Sequence, residues 1–280
     1  MINTPSNFIF LLILFTTSVL CVKYSYESST TLFSPMGELL QVENAEIAGE
    51  NGLPICVSES NDGKIIIVSK SNVDSKVLID RRVTDKVNKI DKSIYVTFSG
   101  LLGDGLDIVR SLRKYCINYN VQYGCPPSVS NVARVIGDYQ HKATLTAGER
   151  PYGIHTIVFG YDHNSNIKSN PPKIFKIKAS GEVTRWKVVA IGKNYKKIME
   201  KLEYEYKENL STENLTSIIL DKMLQLDKPY SDILNDAQTD KNVDDINTHS
   251  KNNYDVYVVS DAETKIYPNI NDFRDINKDR

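Results

Sequence analysis

The chain has 280 residues, of which 41% are hydrophobic and 25% are charged, with 34 Lys and Arg against 35 Asp and Glu. This length and composition are typical of a globular protein with a sizeable core. The near cancellation of charge excludes both the basic field that attracts nucleic acid and the acidic bias of a disordered chain.

The N-terminus carries a strongly apolar segment at residues 8–20. It is short for a membrane span but has the length of the core of a secretory signal, whereas the first seven residues lack the usual basic side chain. Residues 1–22 are therefore signal-like, and the pattern leaves open whether they are a signal peptide or an uncleaved extension. The sequons at Asn209 and Asn214 fit a secretory route but fall in a predicted helix.

A turn and a short helix precede the first predicted strand. Ser34 and Pro35, followed by Gly37, predict the turn, and helical spacing of apolar residues predicts a helix over 38–48. The later predicted strands are 53–58, 64–69, 87–90, 93–99, 153–161, 173–178, 183–191 and 254–260, and the later predicted helices are 106–119, 130–146, 195–206 and 215–226.

This order of elements predicts the fold class. Strands, two helices, strands, two helices and a last strand bury all their apolar faces if two sheets stack between two helix layers. We therefore predict an α+β fold, a four-layer αββα sandwich. The polar stretch 227–253 is predicted to be an insertion loop, and residues 268–280 a polar C-terminal tail.

The tract at residues 33–45 reads FSPMGELLQVENA. It resembles the N-terminal signature of proteasome α-type subunits, Phe-Ser-Pro-x-Gly-x-Leu-x-Gln-Val-Glu-Tyr-Ala, with Asn44 in place of the Tyr. The resemblance implies the N-terminal nucleophile hydrolase fold over a domain at residues 23–267. Further stretches that resemble family motifs are Ser99-Gly100-Leu101 with Asp104, residues 148–153 (GERPYG), Ser180-Gly181, Trp186-Lys187 and residues 190–192 (AIG).

The resemblance also implies that the chain has no catalytic residue. Proteasomal hydrolysis uses an N-terminal Thr whose hydroxyl is activated by its own α-amine. Alignment with β-type subunits places that nucleophile at Leu53, after Gly52, and the family's carboxylate near Ser69. The lysine alone is retained, as Lys86.

Two further roles follow from the resemblance. In α-type subunits the N-terminal tails converge on the ring axis and block substrate entry, and a cluster that corresponds here to Tyr26, Glu27, Pro35 and Asn44 holds them open. An Asn cannot replace the aromatic packing of a Tyr. The lysine that corresponds to Lys86 lines a pocket between neighbouring subunits, where it pairs with the C-terminal carboxylate of a regulatory-particle tail.

The leading hypothesis is thus a noncatalytic α-ring subunit of the proteasome core particle in ubiquitin-dependent protein degradation. The implied partners are other α subunits in a hetero-heptameric ring, the β-subunit ring and regulatory-particle C-terminal tails, with no nucleic acid, membrane, cofactor or metal; the four His and four Cys lack metal-ligand spacing. The implied location is the cytoplasm and nucleus. The alternatives are a secreted or organellar paralogue outside the proteasome, and a threonine-type hydrolase.

Overall fold

The computed structural model describes residues 29–70, 86–146, 148–162, 171–206, 210–227, 254–260 and 264–267. In these ranges five helices and ten strands occur. The helices are α1 (Leu40–Glu50), α2 (Leu102–Tyr123), α3 (Val129–Leu145), α4 (Tyr195–Glu205) and α5 (Thr212–Asp227). The strands are β1 (Ile55–Glu59), β2 (Ile65–Lys70), β3 (Asn88–Lys89), β4 (Ile94–Gly100), β5 (Ile154–Gly160), β6 (Lys173–Ile177), β7 (Val183–Trp186), β8 (Val188–Ile191), β9 (Tyr254–Val259) and β10 (Thr264–Tyr267).

The strands form two five-stranded sheets in which every pairing is antiparallel. Sheet 1 has the order β10-β9-β2-β1-β8, and sheet 2 has the order β3-β4-β5-β6-β7. The four layers are helices α4 and α5, sheet 1, sheet 2, and helices α2 and α3. An apolar cluster lies between each layer and the next, which confirms the predicted αββα sandwich.

Alternation along the strands directs side chains into different clusters. In β2, Ile65 and Ile67 join the cluster between the sheets, with Phe159 of sheet 2. Ile66 and Val68 point the other way, against α4 and α5. On the far side, the cluster between sheet 2 and helices α2 and α3 contains Ile94, Val96, Leu112, Ile136 and Val158.

The predicted starts of two helices are wrong. The first helix begins at Leu40 rather than at 38, because Glu38 is held in the preceding turn by Ser34. The next helix begins at Leu102 rather than at 106. Its early glycine, Gly105, packs against the Phe98 ring, where an added Cβ would lie 2.1 Å from the nearest ring atom.

The predicted strand at 183–191 is two strands in different sheets. Trp186 of β7 pairs with Ile174 in sheet 2, whereas Ile191 of β8 pairs with Ile55 in sheet 1. The chain changes sheets at Lys187, whose carbonyl accepts a hydrogen bond from the Glu59 amide. The final strand, β10, was not predicted.

Other predictions fall on residues outside the described ranges. These are the signal-like segment, the tail at 268–280 and all of the predicted insertion 227–253 except Asp227, which ends α5. None of the helices in the described ranges combines the length and the apolar character needed to cross a bilayer.

Candidate functional site around the first helix

The turn before α1 is fixed by its own backbone and by one side chain. The Gly37 amide donates to the Ser34 carbonyl at 2.8 Å, and the Glu38 amide donates to the Ser34 hydroxyl at 3.1 Å. Gly37 has φ of +83°, a left-handed conformation that favours glycine. The predicted turn is therefore confirmed, and Pro35 lies exposed at its centre.

The C-terminal end of α1 leads into a tightly packed junction with both sheets. A Cβ on Gly52 would lie 2.2 Å from the Ser99 hydroxyl oxygen. The same hydroxyl donates to the Leu53 carbonyl at 3.2 Å, and the Lys193 amide donates to the Gly52 carbonyl at 2.8 Å. Gly192, from another family motif, has φ of +87° and approaches the Leu53 carbonyl.

Two of the motifs are joined by an ion pair. The guanidinium of Arg150 donates to both carboxylate oxygens of Asp104, at 2.6 and 2.7 Å, and the Gly153 amide donates to the same carboxylate at 3.0 Å. Burial alone would raise the pKa of Asp104, but the hydrogen bonds from Arg150 and Gly153 outweigh it and lower that pKa. The motifs that resemble the family therefore meet in space around the start of β1 and α2.

Helix α1 contacts the sandwich through two carboxylates. Glu46 accepts a hydrogen bond from His155 Nε2 on β5 at 2.6 Å and another from the Ser180 amide at 2.9 Å. Glu50 accepts from the Tyr195 hydroxyl on α4 at 3.1 Å. A Cβ on Gly49 would lie 2.7 Å from the His155 ring, so the helix needs a glycine at that point.

A buried ammonium lies beside these groups. Lys176 on β6 is 6% exposed, and its Nζ lies 4.2 Å from the centroid of the Tyr195 ring. Burial, together with the positive charge of Lys178, lowers the pKa of Lys176 to about 8. The sequence pattern gives no signal for this group, because its members lie on α1, β5, β6 and α4, far apart in the chain.

The residues that the resemblance predicts at the positions of the family's catalytic groups, Leu53 and Ser69, lie near the start of β1. Leu53 follows α1 through the continuous backbone of Asn51 and Gly52. Ser69 pairs with Ile55 on one side and with Asp255 on the other, and its buried hydroxyl has no hydrogen-bond partner among the described residues.

Lys86 lies immediately before β3 and is half-buried. Burial lowers its pKa, and the carboxylate of Asp255 opposes that shift. Asp255 lies opposite Ser69 in the sheet, and Ser69 is the residue that the resemblance predicts near the position of the family's carboxylate.

Of the predicted gate residues, two lie in the described ranges. Pro35 and Asn44 are both exposed, in the turn and on α1 respectively. Tyr26 and Glu27 lie outside the described residues. No group of three or more His, Cys, Asp or Glu in the described part of the chain is arranged to hold a metal ion.

Comparisons with known proteins agree with this arrangement. The sequence profile of the family described as "Proteasome subunit" matches residues 50–235. Proteasome subunit alpha type-7 of Trypanosoma brucei brucei is 31% identical, over 72% of this chain and 78% of that protein. Proteasome subunit alpha of Aeropyrum pernix is 31% identical over 70% and 73%, and proteasome subunit alpha 2 of Haloferax volcanii is 28% identical over 76% and 83%.

The matched range contains the Asp104–Arg150 pair and the junction of Gly52 with Ser99 and Gly192. The two-sheet sandwich agrees with the N-terminal nucleophile hydrolase fold. The chain therefore belongs to the proteasome subunit family, as a divergent member of its α type.

Proposed function

We propose that the chain is a noncatalytic α-ring subunit of the proteasome core particle, which supports ring assembly, substrate gating and activator docking in ubiquitin-dependent protein degradation. The observation that carries the proposal is helix α1 (Leu40–Glu50), which lies upstream of β1 (Ile55–Glu59), because a helix before a first strand whose start has no nucleophile is the α-type arrangement. The similarity to proteins named proteasome alpha subunits, over about 70% of this chain, supports it.

The chemistry at Leu53 supports a noncatalytic role. Its side chain is a hydrocarbon. No hydroxyl nucleophile is therefore present at that position, whether or not cleavage after Gly52 frees the α-amine. Sequencing the N-terminus of the purified native protein tests this point, and a mature chain that begins with Thr would contradict it.

Assembly into rings is tested by isolating the native particle. We expect an epitope-tagged full-length chain to copurify with other α subunits and with β subunits, in a complex of core-particle size by native mass spectrometry. A chain that migrates only as a monomer would contradict the proposal. Under this proposal the protein is found in the cytoplasm and nucleus.

The gate contribution of this subunit is expected to be weak. Asn44 is exposed on α1 and has an amide where the family signature has an aromatic ring. We expect Asn44→Tyr to raise the basal peptidase activity of a purified core particle, because the restored aromatic ring would help the cluster to hold the tails open, whereas Glu43→Gln, at the neighbouring exposed position, leaves it unchanged.

Lys86 is the proposed anchor for an activator tail. Because Lys86 is half-buried, the attraction between its ammonium and a C-terminal carboxylate is stronger than it would be in water. The Asp255 carboxylate also attracts this ammonium and would compete with the tail. In assembled particles, we expect Lys86→Ala to weaken binding of a tail peptide about tenfold or more. Lys92→Ala, at an exposed turn position, serves as the control. If a peptide with an amidated C-terminus bound as tightly as the peptide with a free carboxylate, the proposed pairing of Lys86 with that carboxylate would be contradicted.

The alternative is a secreted or organellar paralogue outside the proteasome, which is motivated by the apolar segment at residues 8–20. It predicts glycosylation at Asn209 or Asn214. Asn214 is exposed, but Thr216 of the same sequon is buried and its hydroxyl donates to the Thr212 carbonyl at 2.7 Å. Mass spectrometry of the native N-terminus and of both asparagines distinguishes the two proposals.

A further inference from the structure

Helix α1 is attached to the sandwich differently from the other described helices. Its buried residues are Ala45 and Gly49, which offer little apolar surface. In contrast, α2 buries Leu112 among other aliphatic side chains, and α5 buries Ile219. The docking of α1 therefore depends on polar contacts to an unusual degree.

Glu46 makes the shortest of these contacts. One carboxylate oxygen lies 2.6 Å from His155 Nε2, and the other accepts from the Ser180 amide at 2.9 Å. His155 is 1% exposed, so the imidazole cannot turn to water if the carboxylate stops accepting its proton. A single side chain of α1 thus connects the helix to β5 and to the turn between β6 and β7.

The Glu46 carboxylate lies among charged groups as well as hydrogen-bond donors. The titratable groups that interact with it come from three neighbouring elements: His155 on β5, Lys176 and Lys178 on or after β6, and Tyr195 on α4. Glu50, Glu182 and Lys196 join the same charged group through their pairs with these residues and with one another. Lys178 is itself paired with Glu182, at 2.6 Å, and Lys196 with Glu50, at 3.3 Å. His155 and the Ser180 amide are therefore the groups that hold Glu46 directly.

We propose that Glu46 is a charge-dependent latch: its ionised carboxylate holds α1 against sheet 2, and neutralising that carboxylate releases α1 while the two sheets stay folded. The upstream turn at Ser34 moves with the helix, because the two are continuous. This device does not depend on the proposed function, since it follows from contacts within one chain.

The direction of the pH effect follows from the hydrogen bonds. Burial alone would raise the pKa of Glu46, but the hydrogen bonds from His155 and Ser180 lower it below its ordinary value of 4.5. The stabilisation is therefore complete above about pH 4.5 and is lost as the pH falls through the lower pKa of the docked state. The latch is closed at neutral pH and opens in acid.

Hydrogen exchange measured by mass spectrometry on the full-length chain tests the latch. Glu46→Gln keeps the shape of the side chain and removes its charge, so we expect the amides of residues 40–50 to exchange about tenfold faster or more. Amides of β4 and β5 are expected to keep their protection. Glu43→Gln, on the exposed side of the same helix, is the matched control and is expected to exchange like the wild type.

A second measurement uses the unmodified chain. After correction for the intrinsic rate, exchange of residues 40–50 is expected to rise between pH 6.5 and pH 3 while β4 and β5 stay protected. Unchanged exchange of α1 in Glu46→Gln, or at pH 3, would overturn the proposal. Equal loss of protection in α1 and in both strands at pH 3 would also overturn it, and this comparison decides the matter if Glu46→Gln does not fold.

Discussion

The Arg150 guanidinium donates hydrogen bonds to both carboxylate oxygens of Asp104, which lies 46 positions earlier in the chain. The pair joins the end of the loop before β5 to the first turn of α2, and the Gly153 amide shares the carboxylate. Two short sequence motifs that look like separate turn signals are therefore the two halves of one contact.

Arg150→Met is expected to destabilise the fold by about 1–3 kcal/mol, because it leaves the Asp104 carboxylate largely buried without its main partner. Arg110→Met removes an exposed pair with Asp107 at 3.8 Å and should cost at most about 0.5 kcal/mol. Urea unfolding of both variants measures the difference. Equal losses in the two variants would show that the Asp104 pair has no special role.

The stability contributed by Asp104 depends on pH. Because the pKa of Asp104 is lowered in the folded state, its contribution is complete above its ordinary value of 3.8 and is lost as the pH falls below it. Thermal unfolding between pH 6 and pH 3 is therefore expected to show a smaller acid-induced loss in Asp104→Asn than in the wild type. Parallel curves for the two proteins would contradict this expectation.

Gly49→Ala is expected to displace α1 and to cost about 1–3 kcal/mol, since the new methyl group would meet both the ring and the backbone of His155 within 3 Å. Gly103→Ala is the control, because the position on α2 has open space around an added Cβ and alanine favours a helix. We expect the control to be neutral or stabilising by up to about 1 kcal/mol. Chemical denaturation measures both, and a harmless Gly49→Ala would refute the close packing.

Lys176→Met is expected to stabilise the protein at pH 7 by roughly 1–3 kcal/mol, because it removes a buried charge that the Tyr195 ring compensates only in part. The folded-state pKa of about 8 lies below the ordinary value of 10.5. The cost of the buried charge is therefore complete below pH 8 and is relieved as the pH rises from about 8 to 10.5.

The stability gap between Lys176→Met and the wild type should accordingly narrow between pH 7 and pH 10. Lys197→Met, at an exposed position on α4, is the control and should give a small gap that does not change with pH. Thermal melting across this range measures both gaps. A gap that widens with pH would mean that the ammonium is stabilising in the fold.

Asp62→Ala is expected to loosen the start of α5 and to cost about 1 kcal/mol. The Asp62 carboxylate accepts from the Thr212 hydroxyl at 2.8 Å and from its amide at 3.3 Å, and these bonds lower the pKa of Asp62. Asp62→Asn keeps an acceptor and should cost less than the alanine variant. Denaturation midpoints in the reverse order would contradict a capping role for the carboxylate.

The layers of the fold could be predicted because they follow from local patterns. Strand β2 alternates between two apolar clusters, and the spacing of apolar residues in α3 gives a continuous buried face. The change of sheet at Lys187 could not be predicted, since residues 183–191 contain no Gly, Pro, Asn or Asp that would signal a turn and read as one continuous strand. The two strands are distinguished only by their pairing, since Trp186 of β7 pairs with Ile174 in sheet 2 and Ile191 of β8 pairs with Ile55 in sheet 1.

The site was predicted only where local sequence determines it. The turn around Gly37 is a property of a short segment, and the absence of a nucleophile at Leu53 stays a prediction. Glu46 and His155 are 109 positions apart in the chain, so no spacing rule indicates their contact. The His155 ring is buried and hydrogen-bonded within the fold.

The order of strands in sheet 1 has a consequence for synthesis. The hairpin of β1 and β2 lies at the centre of that sheet, yet its neighbours β8 and β9 come from the second half of the chain. All the strands of sheet 2 precede β8 in the chain. Sheet 2 can therefore form completely while both outer edges of the β1–β2 hairpin are still without a neighbouring strand. During translation β2 therefore emerges early and is paired only with β1 until β9 is synthesised. Its other edge stays exposed longer than that of β1, which makes it the edge of the hairpin more in need of a chaperone.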